Sequence, residues 1–192
     1  MKDQEKDISI PPFLKRDDVK AGLIAGGITV VVYLLAYFIN PLLYFGSGIY
    51  MLTFLVYLIV MWQISKMKTN EYLTGLDREA VPAYSFSDAI QPPFVVFLVA
   101  QTLYYFQYYL MFTVIDPSMT EVAEQYAFEA LERTTGILVN FADESTIDEI
   151  VMNFEDHDFS VTFLNTLMSW ARSLIGGFIL AAIFALIYKR TS

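Results

Sequence analysis

Residues 94–117 read FVVFLVAQTLYYFQYYLMFTVIDP, a run without a charge until Asp116. At about 1.5 Å per residue it is long enough to cross a hydrocarbon core of about 30 Å. It carries Gln101, Gln107 and four tyrosines, and it divides a basic half of the chain from an acidic segment. We read it as the third of four membrane-spanning helices.

The composition requires a solvent of this kind. Of 192 residues, 56% are hydrophobic and 17% charged, against about 45–50% and about 25% in soluble domains. A soluble chain of this length has too little interior for so many apolar side chains. There are no cysteines, which excludes disulfides, thiolate nucleophiles and sulfur-bound metals.

Working outward, residues 1–20 form a polar tail interrupted by Pro11-Pro12, expected to anchor at the interface through Ile10, Phe13 and Leu14. Residues 21–39 form a first, charge-free span. No A-x-A cleavage site follows it, so an uncleaved helix is expected rather than a signal peptide. Gly22-x-x-x-Gly26 fits the close-packing pattern of membrane helices and is expected to seat the span on a neighbour within the chain. Asn40-Pro41 caps and starts the next helix, giving a hairpin with a second span at 42–64. Residues 65–93 form a loop with Lys66, Lys68 and Arg78, and Pro92-Pro93 is expected to open the third span at 94–115.

Beyond Asp116 the composition changes. Residues 116–165 hold twelve Asp or Glu and a single Arg, Arg133. Met119, Val122, Ala123, Tyr126 and Ala127 recur at helical spacing, and a shorter amphipathic helix begins at Ser145. The fourth span is placed at 167–188, with Arg172 near its outer boundary and Lys189-Arg190 closing it over residues 189–192. The fold class is therefore an all-α membrane protein with an acidic helical segment between the third and fourth spans.

Charge sets the expected orientation. Four spans place both termini on one side, and ten of the twelve Lys and Arg then lie on that side; only Arg133 and Arg172 do not. This positive-inside bias predicts a multi-pass inner-membrane protein with cytoplasmic termini and a periplasmic acidic segment.

The arrangement resembles the family catalogued as domain of unknown function 4199 (DUF4199), small bacterial membrane proteins. The matching residues are Ala21-Gly22-Leu23-Ile24-Ala25-Gly26-Gly27 in the first span, Tyr84-x-Phe86-x-x-Ala89 before the third, Ile115-Asp116-Pro117 at its end, and a last span finishing Leu186-Ile187-Tyr188-Lys189-Arg190. The resemblance covers roughly residues 19–190. It implies architecture and supplies no mechanism.

No catalytic constellation is present: one histidine, no triad, no P-loop, no dinucleotide fingerprint and no HExxH. No enzyme is expected. Glu155-Asp156-His157-Asp158 is the one metal-like cluster. Four consecutive residues cannot converge on one ion from a helix, and the glycine of a calcium loop is missing. It reads as a hydrated linker, and no cofactor or metal is expected. The net charge of −9 would argue against a nucleic-acid partner if it were evenly spread, which it is not; no nucleic-acid partner is expected.

Gln101, Tyr104, Tyr105 and Tyr108 share a helical face, which with Gln107 can bond to a neighbouring helix or line a path. Interhelical bonding is the stronger expectation. Asp116 and Arg172 form a candidate ion pair at the outer boundary, and Val122 and Tyr126 a candidate partner face. The function expected is a non-enzymatic scaffold or accessory subunit. Its partners would be the lipid bilayer and a membrane or periplasmic protein. The alternative is a small transporter or channel, acting as a homo-oligomer.

Overall fold

The structure is a computed structural model that describes residues 12–74, 84–141, 143–155 and 158–189. Its described residues form six α-helices: α1 Asp17–Ile39, α2 Ser47–Thr74, α3 Phe86–Leu110, α4 Met119–Leu138, α5 Glu144–Glu155 and α6 Phe163–Tyr188. Helices α1, α2, α3 and α6 are each long and apolar enough to cross a membrane. Only 17–33% of the residues in their apolar windows are buried within the chain. Side chains such as Ile24, Leu35, Phe38 and Ile187 remain uncovered, which a hydrocarbon solvent tolerates and water does not.

Local chemistry fixes the ends. Asp17 and Asp18 open α1 at the positive end of its dipole, and Arg16 grips Asp18 through two hydrogen bonds of 3.1 and 2.6 Å. At the far end the Asn40 Oδ1 accepts from the Leu42 N–H at 3.0 Å. Pro41 then begins a short 3₁₀ turn, Pro41–Phe45, before α2 starts at Ser47. The hairpin is thus bridged by a helical turn, and α2 begins later than residue 42.

Helix α2 also runs past residue 64, to Thr74. Residues 65–74 contain no Gly or Pro, so nothing stops the helix where the apolar run ends. Lys68 in this extension bridges Asp17 at 2.9 Å and Glu71 at 2.8 Å, tying the end of α2 to the start of α1.

Helix α3 starts at Phe86, with the Ser85 Oγ accepting from the Asp88 N–H at 3.1 Å. Pro92-Pro93 lies inside it rather than at its start. A proline in a helix interior leaves the carbonyl four residues back without a donor. For Pro92 that carbonyl belongs to Asp88, and the Tyr84 hydroxyl donates to it at 3.3 Å. The side chain of Tyr84 thus replaces the missing backbone donor.

Helix α3 finishes in a wider π turn, Met111–Ile115, closed by the Asp116 N–H donating to the Met111 carbonyl at 2.8 Å. The first helix of the acidic segment follows at once. Asp143 accepts from the hydroxyls of Thr146 and Ser145 at the start of α5. Thr162 caps α6, its Oγ1 accepting from the Asn165 N–H at 3.2 Å.

Helix α3 is the centre of the bundle and packs on α1, α2 and α6. Gly22 and Gly26 face it: a Cβ on Gly22 would lie 2.7 Å from the Val99 Cβ, and one on Gly26 3.0 Å from the Ala100 Cα. The small-residue motif therefore makes a seam within the chain. On the opposite flank Gly177 of α6 lies against the Phe97 ring. Buried Ala25, Met61, Val96, Ala100 and Ala181 fill the centre. A second cluster, Tyr33, Tyr44, Met111, Phe112 and Met119, closes the end of the bundle where α4 begins. A third, Tyr84, Ala89 and Ala185, closes the other end. The start of α1 and the end of α6 share that other end, because Lys68 ties Asp17 to α2 and Tyr72 of α2 packs on Tyr84.

Candidate functional site

Helices α2 and α6 touch far less than either touches α3. The gap between them is a cavity of about 460 Å³, floored by α1 and α3. Its lining is mainly apolar but includes polar side chains: Tyr33 from α1, Tyr57 from α2, Gln101, Tyr104 and Tyr105 from α3, and Arg172 from α6. Two threonines in the wall, Thr29 and Thr53, turn their hydroxyls onto their own helices, Thr29 to the Ala25 carbonyl at 2.9 Å and Thr53 to that of Tyr50 at 3.0 Å.

The polar face read on α3 divides. Gln101 and Tyr104 line this cavity, whereas Gln107 and Tyr108 do not. Gln107 is buried and its Oε1 accepts from the Tyr44 hydroxyl at 3.3 Å, an interhelical bond. Its Nε2 has no partner among the described residues. Tyr108 stacks on Phe112 with ring centroids 4.5 Å apart. It also lines a second cavity of about 370 Å³ between α6 and the segment before it, and Arg172 borders both cavities.

Asp116 meets Tyr37 rather than Arg172. The Tyr37 hydroxyl donates to its Oδ2 at 2.8 Å, and the Ser118 hydroxyl and N–H donate to its Oδ1 at 2.5 and 3.1 Å. These donors, Ser118 first and then Tyr37, hold the carboxyl below its usual range. Among the described residues no ion pair includes Arg172. The first turn after Pro117 satisfies the acid locally, leaving the arginine on a cavity wall.

Val122 and Tyr126 are half-buried against the chain itself. Val122 packs on the Tyr44, Phe112 and Met119 cluster, and the Tyr126 ring lies 5.7 Å from that of Phe45. Only the first turns of α4 dock in this way. Farther along, Phe128, Ile137, Val139, Phe141 and Met152 are exposed. The cluster Glu155-Asp156-His157-Asp158 lies partly outside the described residues.

Sequence reasoning missed Tyr33, Tyr50 and Tyr57 as companions of Gln101. A signal was present: each is a tyrosine within an otherwise apolar run, seven residues apart on α2 for Tyr50 and Tyr57, the spacing that returns a side chain to one helical face.

No curated protein and no solved structure matches the chain. The family model described as a protein of unknown function (DUF4199) does match it, over residues 20–190, and the chain belongs to that family.

Proposed function

We propose that the protein is a non-catalytic scaffold or accessory subunit of the membrane, engaging a protein partner through the far part of its acidic segment. The observation that carries this reading is the row of exposed apolar side chains beyond the docked start of α4, Phe128, Ile137, Val139, Phe141 and Met152. They sit in a segment with twelve acids and one arginine. That charge repels an anionic leaflet surface and favours a partner with a basic rim around an apolar patch. The positive-inside bias supports placing this segment in the periplasm and both termini in the cytoplasm, in a bacterial inner membrane.

The test is photo-crosslinking in the native membrane, with the reactive residue at Phe141 or Met152 and, as control, at Tyr126. The reading expects one protein adduct from the first two positions, weakened at high salt, and none from Tyr126. Adducts to lipid alone, or to a second copy of the chain, would sink it. A small oligomeric transporter or channel is the second reading, favoured by the cavity whose polar side chains include Gln101. It expects Gln101→Leu to abolish a flux that the first reading does not require.

A further inference from the structure

The cavity between α2 and α6 carries an inference that does not rest on the partner reading. Its walls run from Tyr50 to Tyr57 on α2, from Phe97 to Tyr105 on α3 and from Arg172 to Leu180 on α6, or about 10–12 Å along the bundle axis. The lining is graded. Arg172, Tyr50 and Tyr105 lie toward the end of the bundle that holds Asp116, and Phe97, Tyr57 and Leu180 lie deeper.

Arg172 is the charge set farthest from any end of a spanning helix, nine residues after Phe163 and sixteen before Tyr188. Neither Asp116 nor Asp158 forms an ion pair with it among the described residues. Asp116 is held by Tyr37 and Ser118. Asp158, on the wall of the second cavity, accepts from the Ser160 N–H and hydroxyl at 2.8 Å each. Arg172 is exposed and in no ion pair among the described residues, so its guanidinium is open to an anionic group of a ligand.

The opening faces sideways. Tyr50, Gly176 and Ile179 on the walls are exposed, and the gap lies between two spanning helices, so entry is from the hydrocarbon. A ligand that arrives there has an acyl chain. We propose that the cavity binds an anionic membrane lipid, with the headgroup at Arg172 and a chain lying along Phe54, Phe97 and Leu180. Guanidinium and phosphate form short, charge-assisted, bidentate bonds, and the cavity volume is in the range of small-molecule sites.

The experiment is native mass spectrometry of the full chain released from nanodiscs, with phosphatidylglycerol and phosphatidylcholine of matched chains in competition. The expected preference for phosphatidylglycerol is about tenfold, falling to within about twofold in Arg172→Gln. Gly176→Leu supplies the second variant. A Cβ at Gly176 meets nothing within 4 Å, so the fold accepts a side chain there, which then occupies the cavity mouth. It should lose both retained lipids while its unfolding midpoint does not fall below the wild-type value, leucine being the better helix former.

Three results would overturn the proposal. One is a preference unchanged in Arg172→Gln. Another is full retention by Gly176→Leu, which would place the headgroup contact on the outer surface of the bundle. The third is displacement of phosphatidylglycerol by inorganic phosphate alone, which would make the site one for a free anion.

Discussion

Two adjacent glycines on α1 provide a matched pair for testing how the bundle is held together. Gly26 faces α3: an added Cβ would lie 2.8 Å from the Leu103 Cδ1, 3.0 Å from the Ala100 Cα and 3.1 Å from the Leu103 Cβ. Gly27, one residue on, would meet nothing within 4 Å. The Leu103 methyl can rotate away, but the Ala100 Cα is backbone. Carbon atoms prefer about 3.5–4.0 Å, so Gly26→Ala must move α1 from α3 by about 0.5–1 Å. Overpacking of this kind costs about 1–3 kcal/mol. Both positions are helix interiors, so the gain of about 1 kcal/mol from replacing glycine by alanine is common to both and cancels in the comparison. The expected difference between the two variants is therefore about 1–3 kcal/mol, with Gly27→Ala the more stable. Reversible unfolding in mixed micelles, followed by tryptophan fluorescence, measures it. Equal midpoints would refute the seam, because no other difference separates the two substitutions.

Other outcomes follow from single contacts. Tyr84→Phe removes the donor to the Asp88 carbonyl and should cost about 1–3 kcal/mol, whereas Tyr84→Phe combined with Pro92→Ala should recover most of it; a purely additive pair would contradict the donor role. Gln107→Leu strands the buried Tyr44 hydroxyl and should cost about 1–3 kcal/mol, while adding Tyr44→Phe brings the pair close to wild type; a double-mutant cycle with no coupling would dissociate the two residues. Phe45→Ala should raise amide exchange across the first turns of α4 and leave α3 unchanged, and an unaltered α4 would mean that the Tyr126 contact does not hold it. Asp116 is held below its usual pKa, so its stabilising contribution is complete above the usual carboxyl range and is lost as pH falls through the lower folded value. Protection factors of the amides at residues 116–120 should therefore fall in acid, and Asp116→Asn should flatten that dependence; an identical pH profile in the variant would contradict it.

The four spans were legible because each is an apolar run longer than a soluble helix can bury. Their ends were less so. The apolar run of α2 stops near residue 64, but the helix needs a breaker to stop and finds none before Thr74. Pro92-Pro93 reads as a start signal, and it is overridden by a side chain eight residues upstream of Pro92 that restores the lost bond. Neither hydropathy nor proline statistics contains that information. Gln107 was legible as a group that must bond within the bilayer. That its partner would be Tyr44 depends on how the short turn between α1 and α2 folds back. Val122 and Tyr126 show the limit of periodicity: the pattern identifies an apolar face and leaves open what covers it, which here is Phe45 and the residues around it. The cavity was out of reach for a further reason. It exists because α2 and α6 both prefer α3, a property of four helices at once.

The π turn at the end of α3 has a consequence for chain length. A turn of this kind holds one residue more than a regular helical turn. Deleting a single residue between Met111 and Ile115 would return the segment to ordinary pitch with the chain beyond it on the same bearing, whereas regular pitch with all five residues kept would rotate everything beyond it by about 100° around the helix axis. Asp116 would then swing away from Tyr37, and Met119 away from its seat beside Phe112. The wider turn thus fixes the compass bearing on which the acidic segment leaves the bundle.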